Sequence, residues 1–366
     1  VPETQPSLGK RRSARVRPSV SPCSGTGTAN DQLPIPSLVS ASSRPSTYCD
    51  PPRVTDREDA AISGQVDRLY DFVRFNEHLA AEYPGVPFHS WSYPPTMLLL
   101  LAPLGLLPYG AAFAAWQGGT LALCLWACWP DARTAPGGGT SRWLVVAAIL
   151  VAPAMWLNLF GGQNGFLIAA LFIGGFRLLR TSPLLAGVLF GLLTVKPHFG
   201  IVVPFALVLL RAWPAFFSAA ATSIALVGAS LLAFGAGPWI GMMEVTAPHQ
   251  WQLVQAMDGF YTLMMPTVLA ALRQLDLPPA AALAGHVAAA GVALGACWLL
   301  LRRADDWRRQ AFIVGVTTIL VTPYYFNYDM VAVSALACLI LAGSDWSKAP
   351  LTPAAATLIL AAPALT

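Results

Sequence analysis

Residues 183–234 read PLLAGVLFGLLTVKPHFGIVVPFALVLLRAWPAFFSAAATSIALVGASLLAF. Three apolar runs follow one another here, at 183–195, 199–211 and 214–234, and Lys and Arg occur in this stretch only as Lys196 and Arg211. A straight helical crossing of a bilayer takes about 20 apolar residues. The stretch therefore predicts helices embedded in a membrane and joined by short polar turns.

The same pattern continues along the rest of the chain. Further apolar runs lie at 97–107, 109–129, 143–157, 165–179, 262–273, 279–301, 311–322, 328–343 and 350–366. Several of these runs are too short for a straight crossing, so we expect them to be tilted, extended by polar neighbours or re-entrant. We expect the run 262–273 not to cross. The fold class predicted is an all-α polytopic integral membrane protein, a bundle of about 9–11 membrane segments.

The charge of the chain is distributed very unevenly. Of its 366 residues 55% are hydrophobic and 11% are charged, against about 25% charged in an ordinary soluble domain. Residues 1–90 hold 20 charged side chains and residues 91–366 hold another 20, which is about 22% against 7%. This composition excludes a typical soluble enzyme and a disordered protein, and a net charge of +4 is too small to indicate a nucleic-acid partner.

Residues 1–59 differ from the remainder in composition. They contain ten serines and nine prolines and show no helical or strand periodicity. Such a segment buries too little apolar surface to offset the entropy of ordering it. We predict two regions: 1–59, a disordered or mis-framed N-terminal segment, and 60–366, the polytopic membrane domain. The topology requires one more span before residue 60, and a frameshift or wrong start would explain its absence.

The basic residues of the membrane domain predict its orientation, because Lys and Arg are enriched in cytoplasmic loops. They mark loops around Arg133 and Arg142, Arg177 and Arg180, Arg211, and Arg302, Arg303, Arg308 and Arg309. The connections between these loops then face the extracytoplasmic side. These connections are 158–164, 195–198, 235–261 and 322–329.

The extracytoplasmic connections hold the unusual polar residues, and ionisable groups at membrane depth are functional candidates. Lys196 could bind a phosphate, or its side chain could extend from a helix end to the bilayer surface. Asp329 could stabilise a helix N-terminus, or act as a general base or bind a sugar hydroxyl. Gln163 and Asn164 form either a simple turn or a ligand contact. His249 is a candidate acid/base or headgroup contact.

Known catalytic motifs are missing from the sequence. It contains no Walker A loop, no GxGxxG motif after a strand, no HExxH, no GxSxG and no zinc-binding spacing. Soluble nucleotide-sugar chemistry thus has no visible site, whereas an activated sugar on a lipid carrier would place its phosphate at the headgroup plane, near Lys196. No cofactor is predicted with certainty, and a divalent metal is left open. The lipid bilayer is a predicted partner.

Four motifs together resemble glycosyltransferase family 87, a family of GT-C-type membrane enzymes. They are WSYPPTMLLLLAPLGLLPY at 91–109, NLFGGQNGFLIAALF at 158–172, GLLTVKPHFGIVVP at 191–204 and TPYYFNYDMV at 322–331. Each motif alone is weak, but the four in this order and spacing are fairly specific. The resemblance covers roughly residues 60–345.

The resemblance implies a glycosyltransferase with its active site on the extracytoplasmic face of the inner or plasma membrane. The donor would be a polyprenyl-phosphate sugar, carrying mannose or a similar sugar or arabinofuranose. The acceptor would be a glycolipid or glycan, and transfer would be inverting. Carried over residue by residue, Lys196 with His198 would contact the donor phosphate. The cavity would be lined by Gln163, Asn164, Tyr325, Asn327, Tyr328 and Asp329, and the first loop would contribute Trp91, Ser92 and Tyr93.

One departure concerns the catalytic base. Family members carry the acidic residue taken as base in a loop after an N-terminal span, and the corresponding region here does not match that pattern. Asp50, Asp56 and Asp59 lie nearby, but none is assigned, so the base is unknown and Asp329 is a candidate. Two other hypotheses remain, a transporter or flippase for a lipid-linked or small polar substrate, and a non-catalytic membrane subunit.

Overall fold

The computed structural model describes residues 66–82, 85, 91–129, 142–256, 262–343 and 357–363. The described residues are predominantly helical and contain no strand, which confirms the all-α prediction. The predictions for residues 1–59 and for the arginine at 133 lie outside the described residues.

Two short helices open the described chain: α1 (Asp67–Tyr70) and α2 (Phe72–Glu82). On α2, Phe75 and Leu79 are buried whereas Val73 and Arg74 are exposed. Apolar residues at helical spacing on one face are typical of an amphipathic surface helix. Helix α2 therefore has one buried and one exposed face.

The described residues of the first half of the membrane domain form eight α-helices, several of them short. They are α3 (Pro95–Leu101), α4 (Tyr109–Ala127), α5 (Arg142–Val151), α6 (Pro153–Phe160), α7 (Gly165–Leu178), α8 (Pro183–Leu192), α9 (Pro197–Gly200) and α10 (Val203–Leu209). Proline occupies the first or second position of α3, α6, α8, α9 and α10. Proline fits the first turn but cannot continue a preceding helix, so the apolar runs are broken at these points.

The described part of the second half contains further α-helices, of which the first and the fifth are the longest. They are α11 (Trp213–Phe234), α12 (Gly237–Gly241), α13 (Ala247–Ala256), α14 (Val268–Gln274), α15 (Pro279–Leu301), α16 (Trp307–Val321) and α17 (Val331–Gly343). A further helix covers 357–363. The seven residues of α14 span only about 10 Å, so this helix is too short to cross a bilayer.

Two of the described helices, α11 and α15, are long and apolar enough to cross a membrane as single elements. The pair α5 and α6 meets the same criterion jointly, with a bend of 55° between the two helices. Other apolar helices, alone or with an adjoining turn, have 10–17 residues. The helical membrane fold is confirmed, and the count of 9–11 membrane segments stays a prediction.

Helix α7 forms the centre of the described bundle. It packs against α4, α8, α16 and α17, and ten of its fourteen residues are buried. Its last turn carries Arg177, whose guanidinium donates to the carbonyls of Ala127 and Trp129 at 3.0 and 2.8 Å and so satisfies the end of α4. Asn164 precedes its first turn. Asn164 and Arg177 are thus about 20 Å apart along the helix axis, which separates a basic end from the end that bears the candidate site.

Candidate active site

The backbone at Lys196 follows directly from the sequence. Helix α8 ends at Leu192, a single 3-10 turn covers Leu193–Val195, and α9 begins at Pro197. A residue before proline is forced out of the helical region, and Lys196 has φ −145° and ψ 77°. The break therefore places the Lys196 side chain at a junction between two helices.

The Lys196 ammonium is deeply buried and bonded to oxygen atoms from two distant segments. Only 4% of the residue is exposed. Its Nζ donates to Asp329 Oδ1 at 2.5 Å and to Asn164 Oδ1 at 3.0 Å. A buried cation is tolerated only when it is paired and hydrogen-bonded. The geometry therefore excludes an extended, surface-directed side chain for Lys196 in this structure.

Asp329 lies on the 3-10 helix Asn327–Met330, which leads into α17, and is 1% exposed. Its second carboxylate oxygen, Oδ2, is 3.8 Å from His198 Nε2. Its main-chain carbonyl accepts a hydrogen bond from the Tyr325 hydroxyl at 3.0 Å. The carboxylate thus lies between the Lys196 ammonium and the His198 ring.

The turn at 161–164 is fixed by a buried amide from α6. Asn158 Oδ1 accepts from the Gly165 amide at 2.6 Å, and the Asn158 carbonyl accepts from the Gln163 amide at 3.0 Å. Gly162 has φ +60°, where glycine is favoured. A Cβ on Gly165 would lie 2.5 Å from Asn158 Oδ1 and 2.9 Å from the Tyr328 carbonyl oxygen. Glycine at position 165 therefore lets this turn approach the 322–329 segment.

Helix α4 also supports this turn. Gln117 is 2% exposed, and its Nε2 donates to the Gln163 carbonyl at 3.0 Å. The Gln163 side-chain oxygen in turn accepts from the Tyr93 hydroxyl at 3.1 Å. Gln163 thus connects the first loop to the centre of the bundle.

The first loop is anchored by α1 and α13. The Trp91 indole donates to the Tyr70 hydroxyl at 3.1 Å, and that hydroxyl donates to the Tyr93 carbonyl at 2.9 Å. Burial raises the pKa of the Tyr70 phenol, which keeps this hydroxyl protonated as a donor. Gln250 Nε2 donates to Ser92 Oγ at 2.6 Å.

Aromatic rings surround the ion pair. The rings of Tyr93, Phe199 and Tyr328 have their centroids 5.5–5.7 Å from Lys196 Nζ, within the range of cation–π attraction. Tyr325 packs against Phe199 with ring centroids 5.0 Å apart. Such rings can cover the C–H face of a sugar while neighbouring polar groups bind its hydroxyls.

Several polar atoms of the site are buried without a hydrogen bond in the structure. They are Asn164 Nδ2, Asn158 Nδ2, His198 Nε2 and Asp329 Oδ2, with Gln117 Oε1 on the supporting helix. Buried polar atoms are normally paired, so each such atom calls for an explanation. Three of the five are nitrogen atoms that could donate to an anionic oxygen.

The structure brings together most of the residues predicted from the sequence. Four separate segments meet at one place: the first loop with Tyr93, the turn with Gln163 and Asn164, the junction with Lys196 and His198, and the loop with Tyr325, Asn327, Tyr328 and Asp329. Asn327 is buried and donates its amide to the Met264 carbonyl, so it holds the backbone of this loop.

Two predicted residues contact groups other than the Lys196–Asp329 pair. Ser92 bonds Gln250, and the His249 ring packs against Phe72 with centroids 4.9 Å apart. Sequence reasoning missed Asn158, Gln117 and Tyr70. For Asn158 and Gln117 the available signal was a single amide side chain within an apolar run, in MWLNLF and AAWQGGT respectively. Such a pattern is too common to identify a site. Within the described ranges no three His, Cys, Asp or Glu side chains are placed to hold a metal ion.

Fold and site together define a helical membrane protein with a buried Lys–Asp pair where its loops converge. The family model of glycosyltransferase family 87 matches residues 91–323, which is 233 of the 366 residues, and the chain belongs to this family. The family assignment made from the motifs is thereby confirmed, and the chain is a member of a membrane glycosyltransferase family. The match includes the first three motifs in full and only the first two residues of the fourth. No curated protein and no solved structure matches the chain.

Proposed function

We propose that this protein transfers a sugar from a polyprenyl-phosphate donor to a glycolipid or glycan acceptor on the extracytoplasmic face of the inner or plasma membrane. The sugar is mannose or a similar sugar, with arabinofuranose as the alternative. Transfer inverts the anomeric carbon. A carboxylate takes the proton of the acceptor hydroxyl, the hydroxyl oxygen forms the new bond to the anomeric carbon, and the bond from that carbon to the lipid phosphate breaks on the opposite face and releases the polyprenyl phosphate.

The buried Lys196 ammonium is the observation that carries this proposal. A phosphate leaving group gains negative charge as its bond to the sugar breaks, and a fixed cation in a water-poor site stabilises that charge strongly. A lipid-linked phosphate enters from the bilayer, and Lys196 lies within an apolar bundle. Hence Lys196 would hold the donor phosphate.

The remaining site residues would bind different parts of the donor and the acceptor. His198 and Asn164 have unpaired nitrogen atoms beside Lys196 and would add hydrogen bonds to the phosphate. Tyr93, Tyr325 and Tyr328 would pack on the sugar, and Gln163 would bind its hydroxyls. Ser92, with Gln250, and His249 belong to the side of the first loop, where the acceptor headgroup would approach.

The extracytoplasmic face is supported by the basic residues. Arg177 lies at the opposite end of α7 from Asn164, and basic residues concentrate on the cytoplasmic side of membrane proteins. The site would therefore face the extracytoplasmic side. On that side soluble nucleotide sugars are absent, and a lipid carrier supplies the activated sugar.

Transfer by the purified full chain in lipid nanodiscs tests the proposal. We expect label to pass from a polyprenyl-phosphate sugar to a glycolipid acceptor, and not from a soluble nucleotide sugar. Lys196→Ala should lower kcat/KM by roughly 10²–10³-fold, the usual effect of removing a group that stabilises developing negative charge. Arg180→Ala, an exposed cation at the basic end, should leave the rate unchanged.

Two outcomes would contradict the proposal. Unchanged transfer in Lys196→Ala would remove the phosphate role of this residue. Movement of the lipid-linked substrate across the bilayer of liposomes without formation of a glycosidic bond would favour a transporter.

A further inference from the structure

The groups that surround the Asp329 carboxylate indicate its role. Its carboxylate is 1% exposed and lies between two nitrogen-bearing side chains, with Oδ1 at 2.5 Å from Lys196 Nζ and Oδ2 at 3.8 Å from His198 Nε2. Lys196 and His198 flank Pro197, whereas Asp329 comes from a segment more than 130 residues later. One carboxylate therefore binds the Lys196 side chain directly and lies beside the His198 ring, which connects the Lys-Pro-His junction to α17.

The hydrogen-bond count at Lys196 leaves room for a ligand. An ammonium group has three N–H donors. Asp329 Oδ1 and Asn164 Oδ1 accept two of them, and the surrounding rings supply no further oxygen contact within hydrogen-bond range. One donor remains for a phosphate oxygen, and its direction is determined by the two bonds already made.

We propose that Asp329 is a positioning residue, which holds the Lys196 ammonium in the orientation that receives the donor phosphate, and that it is not the base that deprotonates the acceptor. The inference rests on the proposed function of Lys196. A general base needs a carboxylate oxygen within hydrogen-bond reach of the hydroxyl. Oδ1 of Asp329 is occupied by the ammonium, and Oδ2 is buried beside the His198 ring, 3.8 Å from Nε2, so neither oxygen is open to an acceptor hydroxyl in this structure.

The charge balance of the buried Lys196–Asp329 pair supports the same role. A buried ammonium without a partner is strongly unfavourable. In Asp329→Asn the neutral amide would leave Lys196 uncompensated, so the lysine side chain would move out of its present orientation. The phosphate would then lose its principal contact although no group that touches the substrate had been removed.

A double-mutant cycle in the full-length chain separates the two roles, with Lys196→Gln, Asp329→Asn and the combination compared in nanodiscs by donor KM and kcat. Positioning through Lys196 predicts that Asp329→Asn lowers kcat/KM for the donor by no more than Lys196→Gln does, roughly 10²–10³-fold, because it acts only through that ammonium. In the Lys196→Gln background, the same change should have little further effect, because coupled residues are not additive. Asp329→Glu should restore part of the donor affinity.

A base would behave differently in each measurement. Asp329→Asn would then lower kcat by roughly 10²–10⁴-fold in both backgrounds and abolish the acidic limb of the kcat/KM pH profile. Either result overturns the inference. If Asp329→Asn alone does not fold, the comparison of Lys196→Gln with the double variant still decides the question, because these two chains differ only at position 329. The double variant leaves a neutral pair there, so it avoids the uncompensated cation of the single Asp329 variant.

The failure of the inference can be told apart from failure of the proposed function. If the wild-type chain transfers no sugar from a polyprenyl-phosphate donor, the proposed function is wrong and the inference falls with it. If the wild-type chain transfers sugar and Lys196→Gln impairs it, but Asp329→Asn lowers kcat equally in both backgrounds, only the positioning role is wrong.

Discussion

Asn158 illustrates how one buried amide determines the geometry of the candidate site. The residue is fully buried, and its side-chain oxygen accepts from the first amide of α7 while its carbonyl accepts from Gln163. Asn164, the residue at the helix start, makes no capping bond with its own side chain. Asn158 therefore performs the capping and leaves the Asn164 oxygen free to bond Lys196.

We predict that Asn158→Ala destabilises the protein and weakens donor binding together. Loss of a helix-capping oxygen costs about 1–2 kcal/mol in the free energy of unfolding. Because the turn then loses its anchor, Asn164 moves relative to Lys196 and donor KM rises. Thermal unfolding in detergent and transfer kinetics measure the two effects.

Phe160→Ala is the control for Asn158→Ala. Phe160 lies on the same helix but is 70% exposed, so its removal should change the free energy of unfolding by only about 0.5 kcal/mol. Equal unfolding temperatures for the two variants, with unchanged donor KM, would contradict the role given to Asn158.

At the scale of elements, the contact between α8 and α11 depends on two glycines. A Cβ on Gly187 would lie 2.4 Å from the Ala215 carbonyl oxygen, and a Cβ on Gly191 would lie 2.5 Å from Thr222 Cβ. The pair Gly291 and Gly295 on α15 has the same spacing, yet a Cβ on either would have no neighbour within 4 Å. Identical four-residue spacings thus have opposite surroundings.

We predict that Gly191→Ala destabilises the protein while Gly291→Ala does not. The added methyl group on α8 overpacks a tight helix contact, which costs about 1–3 kcal/mol in the free energy of unfolding. On α15 the same change meets open space and raises helix propensity, a gain of up to about 1 kcal/mol. Thermal unfolding midpoints in one detergent compare the pair, and a similar decrease in both variants would contradict this assignment of the contacts.

The glycine pairs also indicate what sequence could and could not predict. The apolar runs predicted most helix positions, because a run of apolar residues flanked by charge or proline has few alternatives. Helices α4 and α15 are apolar around most of their circumference, so no amphipathic pattern reports which face packs against a neighbour. The spacing of both glycine pairs predicted close helix contact, so the open surroundings of Gly291 and the buried face with Gln117 required the structure.

For the candidate site, the sequence predicted several of its residues but not how they pair. Lys196, Asn164 and Asp329 were chosen because each is a polar residue at the end of an apolar run, and they prove to be in direct contact. The pairing of Asp329 with Lys196 could not be predicted, because the two lie far apart in the chain and sequence spacing carries no information on such contacts. Equally, Ser92 was predicted from the family motif and His249 from the composition of its loop, and neither basis indicates the contacts that the structure shows, with Gln250 and Phe72 respectively.

At the scale of the whole molecule, orientation in the membrane decides whether the proposed chemistry is reachable by a lipid-linked donor on the outer side. Helix α11 is long enough to cross a membrane, and it separates Arg211, just before its first residue, from Gly235, just after its last. The segment after α11 leads to Gln250, which bonds Ser92 of the first loop. The end of α11 and the candidate site therefore belong to the same side, and Arg303 after α15 should belong to the other.

Cysteine labelling with a membrane-impermeant maleimide tests this orientation. Ala236 and Arg303 are exposed, whereas Cys124, Cys128, Cys297 and Cys338 are buried and should react slowly. In a chain with Cys23 and Cys49 replaced by serine, we expect Ala236→Cys to be labelled in intact spheroplasts. Arg303→Cys should be labelled only after permeabilisation, and the parent chain without either new cysteine gives the background. The reverse pattern would place the Lys196 site on the cytoplasmic side, where the donor could not be the lipid-linked sugar of the outer face.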